Sequence, residues 1–465
     1  MMPQPAPTSP ANPSQTAPKI IVLDDDPTGS QTVHSCLLLL QWDVDTLVLG
    51  LEDASPIFFV LTNTRSLSPQ AAAAVTTEVC QNLKQALTRT GITNYLLVSR
   101  SDSTLRGHYP IETDVIASHL GPFDAHFLTP AFFEGGRVTI DSTHYIETNG
   151  QRIPTHDTEF AKDSVFGYST SYLPRYVEEK TAGKIPASTV EQFTLQDIRS
   201  GTLERLLALS NNQCVAVDGE QQSDLDTFAA DLLSAAAQGK KFLFRSAAGL
   251  LTSLAKLPPQ PTLPEEMYLR NRGPVGAVVV GSHVKKTTQQ LEQLLQLSDI
   301  VGIEIDVAQI KSETDNQEDN TSQERESALL KSTLEKVLQA QAAGNTPAIF
   351  TSRTELTFPD KQARLRFGEA VSSLLMNLIK ALPADLGFLI SKGGITSNDT
   401  LSKGLALRSV RLLGQIIPGV SVVITSADHP QFPNLPVVLF PGNVGDEQAL
   451  ATAYQRLHGK SEEGL

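Results

Sequence analysis

Three aspartates stand in a row at Asp24, Asp25 and Asp26, directly after the apolar run Ile20 to Leu23 and directly before Pro27, Thr28 and Gly29. Adjacent carboxylates repel one another, and burying them together is unfavourable unless cations or hydrogen-bond donors answer them. The carboxyl end of a strand is also where open α/β sheets bind ligands. Such a turn could hold Mg²⁺, accept hydrogen bonds from a polyhydroxylated molecule, or simply cap a helix. A second polar cluster, Arg100 to Arg106, follows the apolar run Leu96 to Val98 and contains Asp102, Ser103 and Thr104. An arginine there suits bidentate recognition of a carboxylate or phosphate; in the plainer reading Asp102 pairs with Arg106 or Arg100. Arg137, just past Gly135 and Gly136, is a further anion donor. His34, His108, His144 and His156 lack metal-ligand spacing and read as ordinary loop or core residues.

The second half of the chain offers turns instead of charges. Gly281-Ser282, Gly393-Gly394 with Thr396 and Ser397, and Pro441-Gly442 each follow an apolar strand and precede a helix. Backbone amides at a helix start and a nearby hydroxyl receive anions. One such turn is weak, but three in one domain point to a pocket for a polyphosphate. Neither the GxxxxGK[ST] nor the GxGxxG fingerprint occurs in them.

Positioning these groups requires strands, and apolar runs recur at Ile20, Pro56, Asn94, Cys214, Lys241, Gly276, Pro347, Gly387, Val420 and Pro436. Between many of them apolar residues recur at three- and four-residue spacing, predicting helices over 69–90, 195–209, 285–297, 326–343 and 362–382. The alternation predicts an α/β protein of two domains, each a mostly parallel sheet flanked by helices. The prolines between Lys256 and Pro274 mark the boundary. The expected organisation is a disordered arm 1–18, a first domain 19–255, a Pro-rich linker 256–274, a second domain 275–455 and a flexible tail 456–465. The acidic stretch from Ser312 to Ser327 reads as an exposed loop.

The chain has 465 residues and a formal net charge of −14. No run of Lys and Arg interleaves with aromatics, which argues against nucleic acid and anionic membranes as partners. No apolar run reaches the ~20 residues of a membrane span. Cys36, Cys80 and Cys214 are odd in number and widely spaced, matching neither a disulfide framework nor a zinc site. The expectation is a soluble cytoplasmic protein acting on a small molecule, with homo-oligomer formation left open.

In this order the motifs resemble the four-carbon acid sugar kinase family. Asp25-Asp26-Pro27-Thr28-Gly29 is similar to its Asp-Asp-x-Thr-Gly turn, and Arg100 to Gly107 to its Lys-x-Asp-Ser-Thr-Leu-Arg-Gly segment. Pro130-Ala131 through Gly136-Arg137, Gly281-Ser282 with Thr287 and Gln290, Gly393 to Thr396, and Pro441-Gly442 with Gly445 look like its remaining motifs. The resemblance spans roughly Lys19 to Leu450, with Pro27, Ser30, Arg100 and Ser397 departing from the usual residues. It implies an N-terminal domain that binds an acid sugar and a C-terminal domain that binds ATP, with Mg²⁺. By that resemblance Asp102, Ser103, Arg106 and Arg137 bind substrate, while Asp25 and Asp26 grip hydroxyls, Asp26 acting on the attacking one. Ser282, Gly393, Gly394, Thr396 and Gly442 bind nucleotide. The implied substrate is a four-carbon acid such as threonate, erythronate or an oxo-tetronate. Two rival readings remain: a haloacid-dehalogenase-type phosphatase with Asp24 as nucleophile and Asp26 as acid/base, completed by a lysine such as Lys392 and the acidic pair Asp446-Glu447, and a binding protein without turnover.

Overall fold

The computed structural model describes residues 17–458, except 28, 31, 149, 258–274, 315–319, 354–355, 357 and 359–360. Most of the expected linker, arm and tail, and the motif residue Thr28, therefore lie outside the described residues. In the first half, strands β1 (Lys19–Asp24), β2 (Leu37–Leu39), β3 (Ile57–Leu61), β4 (Tyr95–Arg100) and β5 (Ala125–Thr129) come first. A meander follows, β6 (Arg137–Ile140), β7 (Thr143–Thr148) and β8 (Gln151–Pro154), then β9 (Glu191–Phe193), β10 (Gln213–Val217) and β11 (Phe242–Ser246). The second half contributes β12 (Ala277–Val280), β13 (Ile300–Ile305), β14 (Thr346–Thr351), β15 (Leu389–Lys392), β16 (Ser409–Ile417), β17 (Val420–Ile424) and β18 (Pro436–Phe440).

The fold is α/β, and each of the ten apolar runs is a strand. Continuous apolar runs are what a parallel sheet covered by helices on both faces requires. β1 illustrates it: Ile20 to Asp24 are all buried, paired in parallel with β3 on one side and β4 on the other. The long helix Pro69–Thr90 is capped by the Ser68 hydroxyl, which accepts from Ala71 N–H, and stops at Gly91 with φ +68°. Its buried face, Val79, Cys80, Leu83 and Leu87, covers the sheet beside Phe58 and Val60.

The two halves share one sheet. Its order is β13-β14-β12-β15-β18-β17-β16-β2-β3-β1-β4-β11-β5-β10-β9. The junction is the antiparallel pair β16–β2, Ser409 opposite Leu39 and Arg411 opposite Leu37. Leu38, Leu40, Val410 and Leu412 join the apolar core there. Arg411 Nη2 lies 2.5 Å from Asp53 Oδ2, and Arg408 Nη2 lies 3.1 Å from Asp43 Oδ1. The expected mostly parallel sheet of each domain is present, and the two parallel blocks are fused into one sheet through β17 and β16.

Other departures have local causes. The helix expected over 195–209 is two, Leu195–Ser200 and Leu203–Ala208, broken at Gly201, whose φ is +101°. The acidic stretch expected to be a loop is entered and left by helices Val307–Thr314 and Asn320–Ala342. Its Glu, Gln and Arg residues are good helix formers, so polarity alone misleads there. The meander β6–β8 forms a separate three-stranded antiparallel sheet that the sequence reading did not anticipate.

Candidate active site

The three carboxylates at the end of β1 meet three different environments. Asp25 is 1 % exposed and is held bidentately by Arg65, with Nη2 to Oδ1 at 2.5 Å and Nε to Oδ2 at 3.2 Å. The Ser101 hydroxyl donates to the same Oδ2 at 2.8 Å. Asp26 takes the remaining edge of Arg65, Nη1 to Oδ2 at 3.1 Å, and its side chain is 23 % exposed. Asp24 is fully buried; Arg100 Nη1 reaches its Oδ1 at 3.4 Å, while Oδ2 has no hydrogen-bond partner among the described residues. Burial raises the Asp24 carboxyl to about 7, with Arg100 opposing and Asp25 and Asp26 reinforcing the rise. The charges that answer this triplet are therefore Arg65 and Arg100. Arg100, where the family more often has lysine, gives its Nη1 to Asp24 and lies 3.8 Å from Asp25.

Gly29 closes over Asp24. A Cβ at residue 29 would stand 2.1 Å from Asp24 Oδ1, so the turn packs directly on that carboxylate. A nucleophile needs a path to its electrophile, and this arrangement denies Asp24 one. Lys392 and Asp446, the partners that a phosphatase reading would recruit, sit in the other half, where Lys392 Nζ donates to the Pro441 carbonyl at 2.5 Å.

The segment after β4 wraps around the same strand end. Asp102 accepts from Arg106 Nε at 2.7 Å and from the Thr104 hydroxyl. Burial alone would raise its pKa, but Arg65, Arg106 and Thr104 outweigh it and hold the carboxyl well below the usual range. The Arg106 guanidinium is 29 % exposed and lies over the Phe160 ring at 5.0 Å. Ser103 is buried, and its carbonyl accepts from His144 Nε2 at 2.7 Å. Tyr168 and Tyr176 hydroxyls fix the carbonyls of Thr104 and Leu105 at 2.7 and 2.8 Å. Gly107 (φ +120°) is required: a Cβ there would meet Ser101 Oγ at 2.4 Å and Arg245 Nη2 at 2.6 Å. Arg137 donates to the Gly135 carbonyl, and its Nε is buried without a partner among the described residues. Its pKa is lowered by burial, with Asp102 pulling it up and Arg106 down. Ser101, Asp102, Leu105, Arg106, Tyr109 and Arg245 line a recess with about 320 Å³ of empty space, its open mouth included.

In the second half the three glycine turns converge. The Thr287 hydroxyl lies 3.2 Å from Ser282 Oγ and donates to the Gly442 carbonyl at 3.1 Å. Gln290 Nε2 donates to the carbonyls of Val444 and Asp446 at 2.9 and 2.7 Å. A Cβ on Gly281 would stand 2.2 Å from Thr396 Oγ1, and one on Gly393 3.0 Å from Ser282 Cβ. Ser282, Gly393, Thr396 and Gly442 thus form one cradle, with Gly394 at the start of helix Gly394–Asp399. Val284 and Ile395, both large apolar side chains left exposed, stand beside it at 41 % and 69 % exposure. Lys392 is fully buried under the cradle, its Nζ over the Phe440 ring at 4.0 Å. Burial lowers its pKa to about 7, helped by Lys286.

Reading the sequence alone missed Arg65, Arg245 and Arg353, and raised Lys392 only as a partner for the phosphatase alternative. Arg245 is buried and gives Nη1 to Glu112 at 2.5 Å and to Ser99 at 2.7 Å, and Nη2 to Ser101 at 2.7 Å. Isolated basic residues far along the chain from their partners carry no spacing signal. For Arg245 a signal did exist, since it ends a strand of the same sheet.

The fold and the two clusters define a two-domain α/β protein with a recess lined by Arg106 and Arg245 in one domain and a glycine-turn cradle in the other. Comparison with known families agrees: residues 20–254 match the family described as "Sugar-binding N-terminal domain" and residues 277–450 the "Nucleotide-binding C-terminal domain". The chain belongs to the four-carbon acid sugar kinase family. A D-threonate kinase of Salmonella typhimurium is 24 % identical over 450 residues, covering 94 % of this chain and 97 % of that protein. Two solved structures share the fold. One, from Salmonella typhimurium LT2, has a TM-score of 0.66 at 20 % identity over 93 % of this chain and 98 % of that one. The other, from Haemophilus influenzae, has a TM-score of 0.62 at 18 % identity over 94 % and 100 %. Among the described residues no helix is long and apolar enough to cross a membrane.

Proposed function

We propose that this protein is an ATP-dependent kinase that phosphorylates a hydroxyl of a small acid sugar, with a four-carbon acid such as threonate as the first candidate. The observation that carries the reading is the division of labour: a recess with arginines and carboxylates in the sugar-binding domain, and three converged glycine turns in the nucleotide-binding domain. The relative that acts on D-threonate supports the choice of substrate class.

Phosphoryl transfer asks a protein mainly for positioning and charge neutralisation. In this proposal Arg106 and Arg137 hold the substrate carboxylate. Arg137 suits that role because its buried Nε has no acceptor among the described residues. Asp26, the more exposed of the Arg65-bound pair, accepts the proton side of the attacking hydroxyl, and Asp25 holds Arg65 and Ser101 in place. The cradle of Ser282, Gly393, Gly394, Thr396 and Gly442 receives the nucleotide, where glycines let its phosphates approach the backbone. Mg²⁺, entering with the nucleotide, supplies screening of phosphate charge. Burial of Asp24 beneath Gly29 weighs against the phosphatase alternative.

The test is ADP release from Mg·ATP by purified protein across three- to six-carbon acid sugars, with phosphate release from sugar phosphates measured in parallel. ADP formation that depends on one acid supports the proposal. Phosphate release without ATP would replace it with the phosphatase, and binding of acid and nucleotide without turnover with the binding protein.

A further inference from the structure

We infer that Arg353, which belongs to none of the motifs behind the family resemblance, is the side chain that grips the phosphate chain of the nucleotide. The inference rests on the kinase reading and adds to it the cation that the glycine-turn cradle lacks.

Arg353 follows the carboxyl end of β14, and β14 is the direct sheet neighbour of β12, with Phe350 opposite Val280. The ends of these two strands therefore deliver Arg353 and Ser282 to one place. The guanidinium is bolted there: Nη1 donates to the Ser282 carbonyl at 2.5 Å. Nε and Nη2, the two donors along its other edge, are buried and have no hydrogen-bond partner among the described residues. Together those two N–H groups form the planar fork that matches two oxygens of a phosphate or carboxylate.

A buried guanidinium edge with nothing to donate to is unfavourable, so the resting structure leaves an acceptor to be supplied. Burial lowers the Arg353 pKa, and among the described residues the charge that acts on it is Glu304, an exposed residue on β13. Two other basic groups near the cradle are already engaged. Lys392 gives its hydrogens to the carbonyls of Pro441 and Gly442, and Lys286 Nζ donates to the Gly445 carbonyl at 3.0 Å. The Thr287 hydroxyl and Gly442 meet at the Ser282 turn whose carbonyl Arg353 holds. An anion seated in the cradle finds in Arg353 a fixed, two-pronged donor.

Calorimetric titration of wild type, R353M and R353K with ATP, adenosine and inorganic pyrophosphate tests this, with thermal unfolding as the fold control. The expected result is a loss of at least tenfold in affinity for ATP and pyrophosphate in R353M. Adenosine affinity should change less than twofold, and R353K, which keeps the charge but not the fork, should fall between. Equal weakening toward adenosine and ATP would mean that Arg353 only supports the Ser282 loop, and unchanged ATP affinity would also overturn the inference. If wild type binds no nucleotide, the kinase reading fails by itself. Pyrophosphate binding lost in R353M would then still uphold an anion site at Arg353, and pyrophosphate binding that is absent or indifferent to the substitution would refute it.

Discussion

Replacing Asp24 by asparagine isolates the most unusual charge in the molecule. Its carboxyl is fully buried, and its pKa rises from 3.8 to about 7. The folded protein therefore holds a proton on Asp24 that the unfolded chain has released, and the contribution of Asp24 to stability falls as pH climbs from about 4 to 7. At ~1.36 kcal/mol per pKa unit, this rise amounts to about 4 kcal/mol. Arg100 and the neighbouring carboxylates respond to the same titration, so roughly 2 to 4 kcal/mol should separate the two proteins by pH 7. An asparagine side chain copies the protonated acid in shape and neutrality, so D24N should match wild type near pH 4 and exceed it progressively above. Urea unfolding at half-unit pH steps reads the difference directly, other titrating groups cancelling between the two proteins. A stability difference independent of pH, or one that favours wild type as pH rises, would refute the reasoning. Because Asp24 is sealed by Gly29 and takes no part in the proposed transfer, D24N should also keep ADP formation within about tenfold of wild type.

Arg106→Ala should raise the KM for the acid by roughly 10- to 100-fold, the worth of a charged hydrogen bond, while nucleotide affinity stays put. Ser282→Ala should weaken nucleotide and spare the acid; equal losses of both affinities in both variants would undo the assignment of the two sites. Gly281→Ala places a Cβ 2.2 Å from Thr396 Oγ1. It should cost about 1–3 kcal/mol in denaturant titration as the two strand-end turns are pushed apart. Lys392, lowered to about 7, is mostly neutral above that pH in the free protein. Phosphates nearby favour its charged form, so nucleotide binding at pH 8 should take up protons, and affinity should decline as pH rises past 7. Calorimetry in two buffers of different ionisation enthalpy measures the uptake, and no uptake in wild type, or the same uptake in K392M, would contradict it.

The strands were legible because a sheet buried on both faces demands unbroken apolar runs, and Ile20 to Leu23 or Val278 to Val280 can hardly be anything else. The motif turns were legible for a related reason: Gly29, Gly107 and Gly442 sit where a side chain would crowd its neighbours. Less legible was β2, three residues long, whose role as the seam between the halves depends on β16, hundreds of residues away. The acidic helices around residues 312–327 have no apolar stripe to announce them. Arg65, Arg245 and Arg353 also escaped notice. Arg65 becomes part of the site only because β3 lies beside β1, and Arg353 only because β14 lies beside β12. Asp25 and Asp26 were read as groups awaiting a ligand, whereas Arg65 already binds both. Their role shifts from gripping substrate unaided to acting through, and beside, a bound guanidinium.

The central claim is transfer of a phosphoryl group from ATP to a hydroxyl of an acid sugar. Phosphorus NMR of purified protein with Mg·ATP and threonate, followed by the other acids of the panel, tests it most directly. The account predicts that the γ-phosphorus signal is replaced by that of a phosphomonoester, in equal amount with ADP, for one of those acids. Conversion of ATP to ADP and inorganic phosphate alone, or unchanged ATP beside acids that demonstrably bind, would contradict it.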